Sequence, residues 1–204
     1  MELADALARR RMVRRYDPDA PVAPEALEAV LDAACRAPSA GFTQGVSLLV
    51  LTTPVERERY WAATATGPDE GGSRWLAGMR TAPVLVLVLA SREAYLDRYA
   101  EPDKGWTDRD EARWSAPYWF VDAGMAGMAM LLRVVDLGLG ACFFGVPADR
   151  LEAVREAFGV PADQLAVGVV SVGHLPSDGD RGTRGSPARR VRRPAEEVVH
   201  RGRW

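Results

Sequence analysis

Apolar positions recur at helical or strand spacing along most of the chain and mark out its elements. Leu3 and Leu7 stand one turn apart and predict a helix over residues 2–11. Asp17-Pro18 and Pro21 disfavour helix, so residues 16–24 are expected to form a loop. Pro24 suits the first turn of a second helix, where its missing N–H costs nothing. Leu27, Val30, Leu31 and Ala34 give that helix one apolar stripe, which should stop near Ala37-Pro38. Residues 48–51 predict a short buried strand and residues 56–63 a helix. Residues 66–73, rich in Gly and Pro, predict a mobile loop. The run PVLVLVL at 83–89 is apolar on both faces and predicts the central strand of a covered sheet. Residues 100–117 mix Trp, Asp, Arg and Pro without a period and read as an ordered excursion over the core. A long apolar helix is expected over 122–137, with Asp122 as N-cap and Gly124, Met125, Gly127 and Met128 making it small-faced and buried. A strand at 141–144 follows. Leu151, Val154 and Phe158 then mark an amphipathic helix ending at Gly159, and 165–172 is the last strand. With no internal repeat and no regular βαβ alternation, the order points to an α+β fold.

Composition adds bounds. Apolar residues make up 48% and charged residues 26% of 204 residues, the ordinary globular range. Such a chain buries a core without disulfides. A core domain over 1–176 is expected, followed by a polar, arginine-rich tail over 177–204. The tail ends in Val198, Val199 and Trp204, so it is expected to dock on its own core or on a partner subunit. Cys35 and Cys142 lie far apart in apolar contexts; both are expected to be small core residues, with no metal site. The opening residues carry Glu2 and Asp5 and then arginines, without an apolar leader. The longest apolar run, 123–132, is broken by glycines and falls short of the roughly 20 residues of a membrane span. Cytoplasmic residence without membrane contact is the expectation. A net charge of −2 gives no global basic field for nucleic acid.

The candidate chemistry starts with two arginine clusters. Lys104 is the only lysine among 26 basic residues, which fits a GC-rich coding sequence and lowers the information in any single arginine. Arg9, Arg10, Arg11, Arg14 and Arg15 crowd the end of the first helix, and Arg10 and Arg14 share a face while it lasts. Guanidinium pairs grip phosphate bidentately, although a solvated surface cluster has the same spacing. Arg189, Arg190, Arg192 and Arg193 form the second cluster. The turn Ala37-Pro38-Ser39-Ala40-Gly41 offers N–H groups and a hydroxyl beside a strand end. Gln44 can bond a ligand edge or the local backbone. Gly138, Gly140 and Gly145 let backbone approach a neighbour closely, but neither the GxGxxG spacing nor a P-loop is present. Trp106, Trp114, Tyr118, Trp119 and Phe120 can wall a planar-substrate pocket or pack beneath the excursion. His174 and His200 have no Ser, Cys or carboxylate at a catalytic spacing, which argues against a triad hydrolase or a His-ligated metalloenzyme.

The order of these signals is more specific than any one of them. Arg10-Arg11-Met12-Val13-Arg14-Arg15-Tyr16, then Ala37-Pro38-Ser39, then Gln44 and a strand, resembles the opening of the nitroreductase family. Gly138-Leu139-Gly140-Ala141-Cys142 through Gly145, an amphipathic helix and Val170-Ser171-Val172-Gly173-His174 resemble its second block. Arg192-Arg193-Pro194-Ala195-Glu196-Glu197-Val198-Val199 is similar to its tail. The resemblance spans nearly the whole chain. It implies an α+β nitroreductase-like fold, with a central, mostly antiparallel sheet flanked by helices. It also implies an intertwined homodimer with FMN sites at the interface and tails reaching across to the partner.

Carried over by position, the resemblance implies that Arg10 and Arg14 hold the FMN phosphate or ribityl end, within a cofactor-binding run that includes Arg11 and Met12. Arg190 and Arg192 would join them from the tail. Pro38 and Ser39 of the other subunit would pack near the isoalloxazine ring with Gln44 nearby, and Phe144 and Gly145 would set backbone against the flavin. The implied chemistry is ping-pong. NADH or NADPH reduces FMN and leaves, and an electron-poor nitroaromatic, quinone or enone-like acceptor replaces it. No side-chain nucleophile is needed; N–H or cationic groups stabilise negative charge on the reduced ring. Met12 stands where the family often has Ser, Phe42 where it often has Asn, and Gly45-Val46 where it often has Pro-Trp. The loop that usually offers an Asn to the flavin presents Trp75 or its neighbours. These changes make the cavity more apolar.

Other readings fit parts of the pattern. One is a flavin dehydrogenase that passes electrons to oxygen, or a variant with a deazaflavin donor. Met12, Phe42 and Val46 motivate a second, a flavin- or small-ligand-binding module without catalysis. A nucleic-acid-binding role for the arginine clusters is a third, and predicts strongly salt-dependent binding.

Overall fold

The alternation along the PVLVLVL run sets the architecture. Side chains alternate across a strand, so a run apolar at every position needs cover on both faces. In the computed structural model, which describes residues 1–67, 73–182 and 190–204, the strand β2 (Val84–Ser91) is buried along its whole length. Val84, Val86, Val88 and Ala90 face one core with Val30, Ala34, Ala123, Ala126 and Met130. Leu85, Leu87 and Leu89 face a second core with Tyr60, Trp61, Met79 and Val154.

Among the described residues the sheet has four strands, all antiparallel. β1 (Val46–Leu51), β3 (Gly140–Phe144) and β4 (Gln164–Gly173) join β2 in the order β1-β2-β4-β3. Val46 pairs with Ala90, Val84 with Val172, and Gly140 with Gly173. Helices α2 (Pro24–Cys35) and α6 (Tyr118–Asp136) cover one face. Helices α3 (Pro54–Ala63), α4 (Arg74–Met79) and α7 (Leu151–Phe158) cover the other. The N-terminal α1 (Leu3–Arg9) lies against α6, and α5 (Arg92–Ala100) follows β2 directly. The α+β class and the antiparallel sheet are as the pattern and the resemblance implied.

The differences have local causes. Helices α4 and α5 were not anticipated: α4 has only six residues, and the polar sequence of α5 hides its period. Ser91 caps α5 by accepting from the Ala94 N–H at 3.2 Å. Helix α6 starts a turn earlier than expected, at Tyr118 with Pro117 as N-cap, so Asp122 is not a cap. It is buried inside the structure instead. At nineteen residues α6 is also long and apolar enough to cross a membrane, unlike the glycine-broken run read from the sequence. Its inner face packs on the sheet and makes it the core helix of the fold. Cys142 is buried as expected, but Cys35, the last residue of α2, is exposed. Most of the loop expected at 66–73, and Arg189 of the tail cluster, lie outside the described residues. Residues 190–204 are exposed throughout, with Trp204 at 98%.

Candidate active site

Residues 10–16 leave α1 and run along the free edge of β3. Met12 bridges Ala141 in parallel, and the Val13 N–H donates to the Ala141 carbonyl at 2.8 Å. The Phe143 N–H, which faces away from β4, finds the Met12 sulfur at 3.4 Å. Tyr16 anchors the other end: its hydroxyl donates to the Val13 carbonyl at 2.8 Å and lies 2.6 Å from Ser171 Oγ. Burial pushes the Tyr16 hydroxyl well above the ordinary phenol range, so it keeps its proton as a structural pin. Helix α4 closes over the segment at Gly78, where a Cβ would lie 2.1 Å from the Arg14 carbonyl oxygen.

This anchoring divides the first arginine cluster. Arg15 is committed to Asp178 at 2.8 and 3.0 Å and to Asp180 at 3.4 Å. Arg14 Nη1 donates to the Met12 carbonyl at 3.1 Å. Arg11 is exposed, donates to the Ala8 and Arg10 carbonyls, and lines a separate cavity of about 540 Å³ with Arg9 and Arg181. Among the described residues, Arg10, Arg11 and Arg14 have no carboxylate partner. Arg10 and Arg14 are half-buried and free to meet an anion, as a phosphate site requires.

Further along β3, Phe144 and Gly145 line a cavity of about 330 Å³ with Tyr60, Trp61, Trp75 and Leu76. Trp61 stacks on Phe144 with centroids 6.0 Å apart and planes within 9°, and Trp75 meets the same ring edge-on at 5.7 Å. A Cβ on Gly145 would touch nothing within 4 Å, so the end of the strand is open to a flat ligand. Three residue steps lead from Ala141 to Phe144, about 10 Å of strand. The arginine segment and the aromatic wall therefore belong to one edge of one chain.

Pro38, Ser39 and Gln44 do not. They lie in the turn that leads into β1, at the opposite edge of the sheet, which is three strand spacings or about 14 Å across. Ser39 Oγ accepts from the Gln44 N–H at 2.9 Å. Both Phe42 and Gln44 have φ of 54°, a left-handed conformation that costs a non-glycine residue about 1–2 kcal/mol and clusters at functional sites. Arg190 and Arg192 sit in the exposed tail. One chain thus carries the Pro38–Gln44 turn and the arginine segment on opposite edges of its sheet.

Other candidates resolve plainly. Trp106, Trp114, Tyr118 and Trp119 pack with Tyr95 and Tyr99 beneath the excursion, with Tyr99 and Trp114 centroids only 4.2 Å apart. They form core rather than the wall of the Phe144 cavity. Burial pushes the Cys142 thiol up, so it is no nucleophile. His200 stacks on Trp204 at 4.1 Å, and the His174 backbone accepts from the Asp17 N–H. Sequence reasoning missed Trp61 as a wall residue and Asp122 as the buried partner of the Pro38–Gln44 turn. A lone carboxylate in an apolar stretch was the available signal for the latter.

The sequence model of the Nitroreductase family matches residues 7–174. The chain belongs to the nitroreductase family. It is 27% identical over 176 residues to a Methanothermobacter thermautotrophicus protein provisionally named NADH dehydrogenase/NAD(P)H nitroreductase, covering 85% of this chain and 78% of that one. Solved nitroreductase structures share the fold. One from Desulfovibrio desulfuricans, provisionally named a nitroreductase and solved with FMN, has a TM-score of 0.70 at 24% identity, covering 100% of this chain and 98% of that one. Another provisionally named nitroreductase with FMN, from Exiguobacterium sibiricum, has a TM-score of 0.72 at 18% identity, with 98% and 97% covered. In this nitroreductase-family chain, the bridge of Met12 to β3 joins the family's opening motif to its second block.

Proposed function

We propose that this protein is an FMN-dependent oxidoreductase that transfers reducing equivalents from NADH or NADPH to an electron-poor acceptor, and that it works as a homodimer. The observation that carries this reading is the pair Arg10 and Arg14, half-buried, free of carboxylates among the described residues, and tied through Met12 to the edge strand that ends at Phe144 and Gly145. These residues fit FMN. Two guanidinium groups without carboxylate partners among the described residues suit a phosphate dianion, and an open glycine beside an aromatic wall suits a flat ring system. The FMN-bound neighbours of the same fold support the same cofactor.

When bound, FMN supplies the two-electron chemistry, taken from the nicotinamide donor and given to the acceptor in turn, in ping-pong order. The protein's part is placement. Arg10 and Arg14 hold the phosphate or ribityl end, with the Arg11 and Met12 backbone alongside. Phe144 and Gly145, with Trp61 and Trp75, would hold the ring system in the cavity they line and exclude water from it. Phe42 and Val46, in the turn and strand of the other subunit, add apolar cover with Pro38, Ser39 and Gln44. That cover favours flat, poorly hydrated acceptors such as nitroaromatics, quinones or enones.

The reading requires two chains, because the Pro38–Gln44 turn and the arginine segment lie on opposite edges of one sheet. The surface supports it. Phe120, Val121, Met125 and Met128 form an exposed apolar stripe on α6, and Leu3 and Leu7 of α1, which packs on α6, are exposed as well. Residues 178–181 are tied to the core through Arg14 and Arg15, and residues 190–204 act as an arm beyond it, with Val198, Val199 and Trp204 seated on the partner and Arg190 and Arg192 brought to the phosphate.

The test is the visible absorption spectrum of the purified dimer, followed by heat release and identification of the flavin. One FMN per chain, bleached anaerobically by NADH or NADPH, is the expected result. Colourless protein that takes up no added FMN would sink the proposal.

A further inference from the structure

Among the described residues, Asp122 is the only acidic side chain in the buried set, at 2% exposure. Burying a carboxylate costs several kcal/mol unless its lone pairs are met. Here one oxygen, Oδ2, accepts from the Tyr95 hydroxyl at 2.7 Å and from the Ala40 N–H at 2.8 Å. Asp122 belongs to α6, Tyr95 to α5, and Ala40 to the turn before β1. Three elements meet on one atom.

The turn is clamped elsewhere as well. Arg98 Nε donates to the Gly41 carbonyl at 2.9 Å, and the Ser91 N–H donates to the Gly45 carbonyl at 2.9 Å. The rings of Tyr99 and Tyr95 press on Gly41 and Gly45, where a Cβ would come within 2.7 and 2.6 Å. Between these clamps sit Phe42 and Gln44 in left-handed conformations. Such strain persists only where surroundings over-determine the backbone. The Ala40 N–H is the point where that restraint comes from α6, and the outward residues next to Asp122 on α6 are the exposed Phe120, Val121 and Met125.

We propose that Asp122 is a positioning residue that ties the 39–44 turn to α6, so that docking of α6 on a second copy sets the turn against the flavin held by that copy. This rests on the FMN and dimer reading above. It assigns a purpose to a buried carboxylate that the redox chemistry does not use, and it makes one helix carry both the subunit contact and the placement of the in-trans half-site.

The experiment compares wild type, D122N, D122L and Y95F in light scattering, thermal unfolding, FMN affinity by flavin fluorescence, and amide hydrogen exchange over residues 39–44. Asn keeps an oxygen that can accept both bonds, so D122N should bind FMN within about threefold of wild type. D122L orphans both donors. It should stay dimeric, weaken FMN binding at least tenfold, and exchange the 39–44 amides faster while β2 stays protected. A dimeric D122L with wild-type affinity and exchange overturns the proposal. If D122L does not fold, Y95F decides, since it removes one donor and leaves the ring: a several-fold weaker FMN affinity with faster exchange supports the tether, and no change in either overturns it. Wild type that binds no FMN sinks the functional reading instead, and the exchange comparison then supports or overturns the tether by itself.

Discussion

Met12 bridges Ala141 across the free edge of β3, and its sulfur accepts the Phe143 N–H that the sheet leaves unpaired. The sulfur and the backbone bridge together fix the arginine segment beside the strand that ends at the aromatic wall. Truncation to Ala removes both the acceptor and packing shared by the two cores. M12A is expected to lose about 1–3 kcal/mol of stability, read by urea unfolding. M12S should lose less and bind FMN more tightly, because a hydroxyl returns to the flavin shell.

The arginines should separate by role. R10A and R14A are each expected to weaken FMN binding about 10- to 100-fold, the worth of one or two charge-assisted hydrogen bonds. Their melting temperatures without flavin should stay near wild type. R15A should do the reverse, because Arg15 is committed to Asp178. Fluorescence titration of FMN against each variant checks both directions.

Gly78 carries α4 against the Arg14 backbone. A methyl group there meets the Arg14 carbonyl at 2.1 Å, and neither helix nor strand can yield without moving the segment. G78A is expected to cost about 1–3 kcal/mol and to weaken FMN binding along with stability, since Arg14 shifts. Equal FMN affinity in wild type and G78A would separate Arg14 from the phosphate site.

The α6 stripe predicts the oligomer. M125E puts a charge in the middle of an exposed apolar face. It should convert the dimer to a folded monomer in light scattering and lose FMN at the same time, because the Pro38–Gln44 half-site leaves with the partner. A monomer that keeps full FMN affinity would contradict the shared site.

The Arg15–Asp178 pair predicts a low-pH effect. The Arg15 hydrogen bond holds the Asp178 carboxyl below its ordinary value near 3.8. A depressed carboxylate contributes stability above its unfolded pKa and loses that contribution as pH falls through the folded value. Wild type should therefore lose stability more steeply than D178N below about pH 4, with no difference in slope between pH 5 and 8. Thermal melts across that range check the sign.

The sequence by itself determined the elements whose evidence is local. The period-2 run 83–89, apolar at every position, required a strand covered on both faces. The stripe Leu27, Val30, Leu31 and Ala34 required an amphipathic helix, and Gly159, with φ of 62°, ended α7 where a left-handed cap was needed. The order of motifs was enough to name the family. What remained hidden depends on contacts between residues far apart in the chain. Asp122 looked like a cap because Asp often begins helices; only the packing of α5 and the turn around it made it a buried acceptor for Tyr95 and Ala40. Nothing local distinguished Arg15 from Arg14, because their difference is Asp178, some 160 residues away. Cys35 read as core from apolar neighbours, yet the last turn of α2 points it outward. The sheet order put the Pro38–Gln44 turn and the arginine segment on opposite edges, and no spacing along a chain records which edge a strand will occupy.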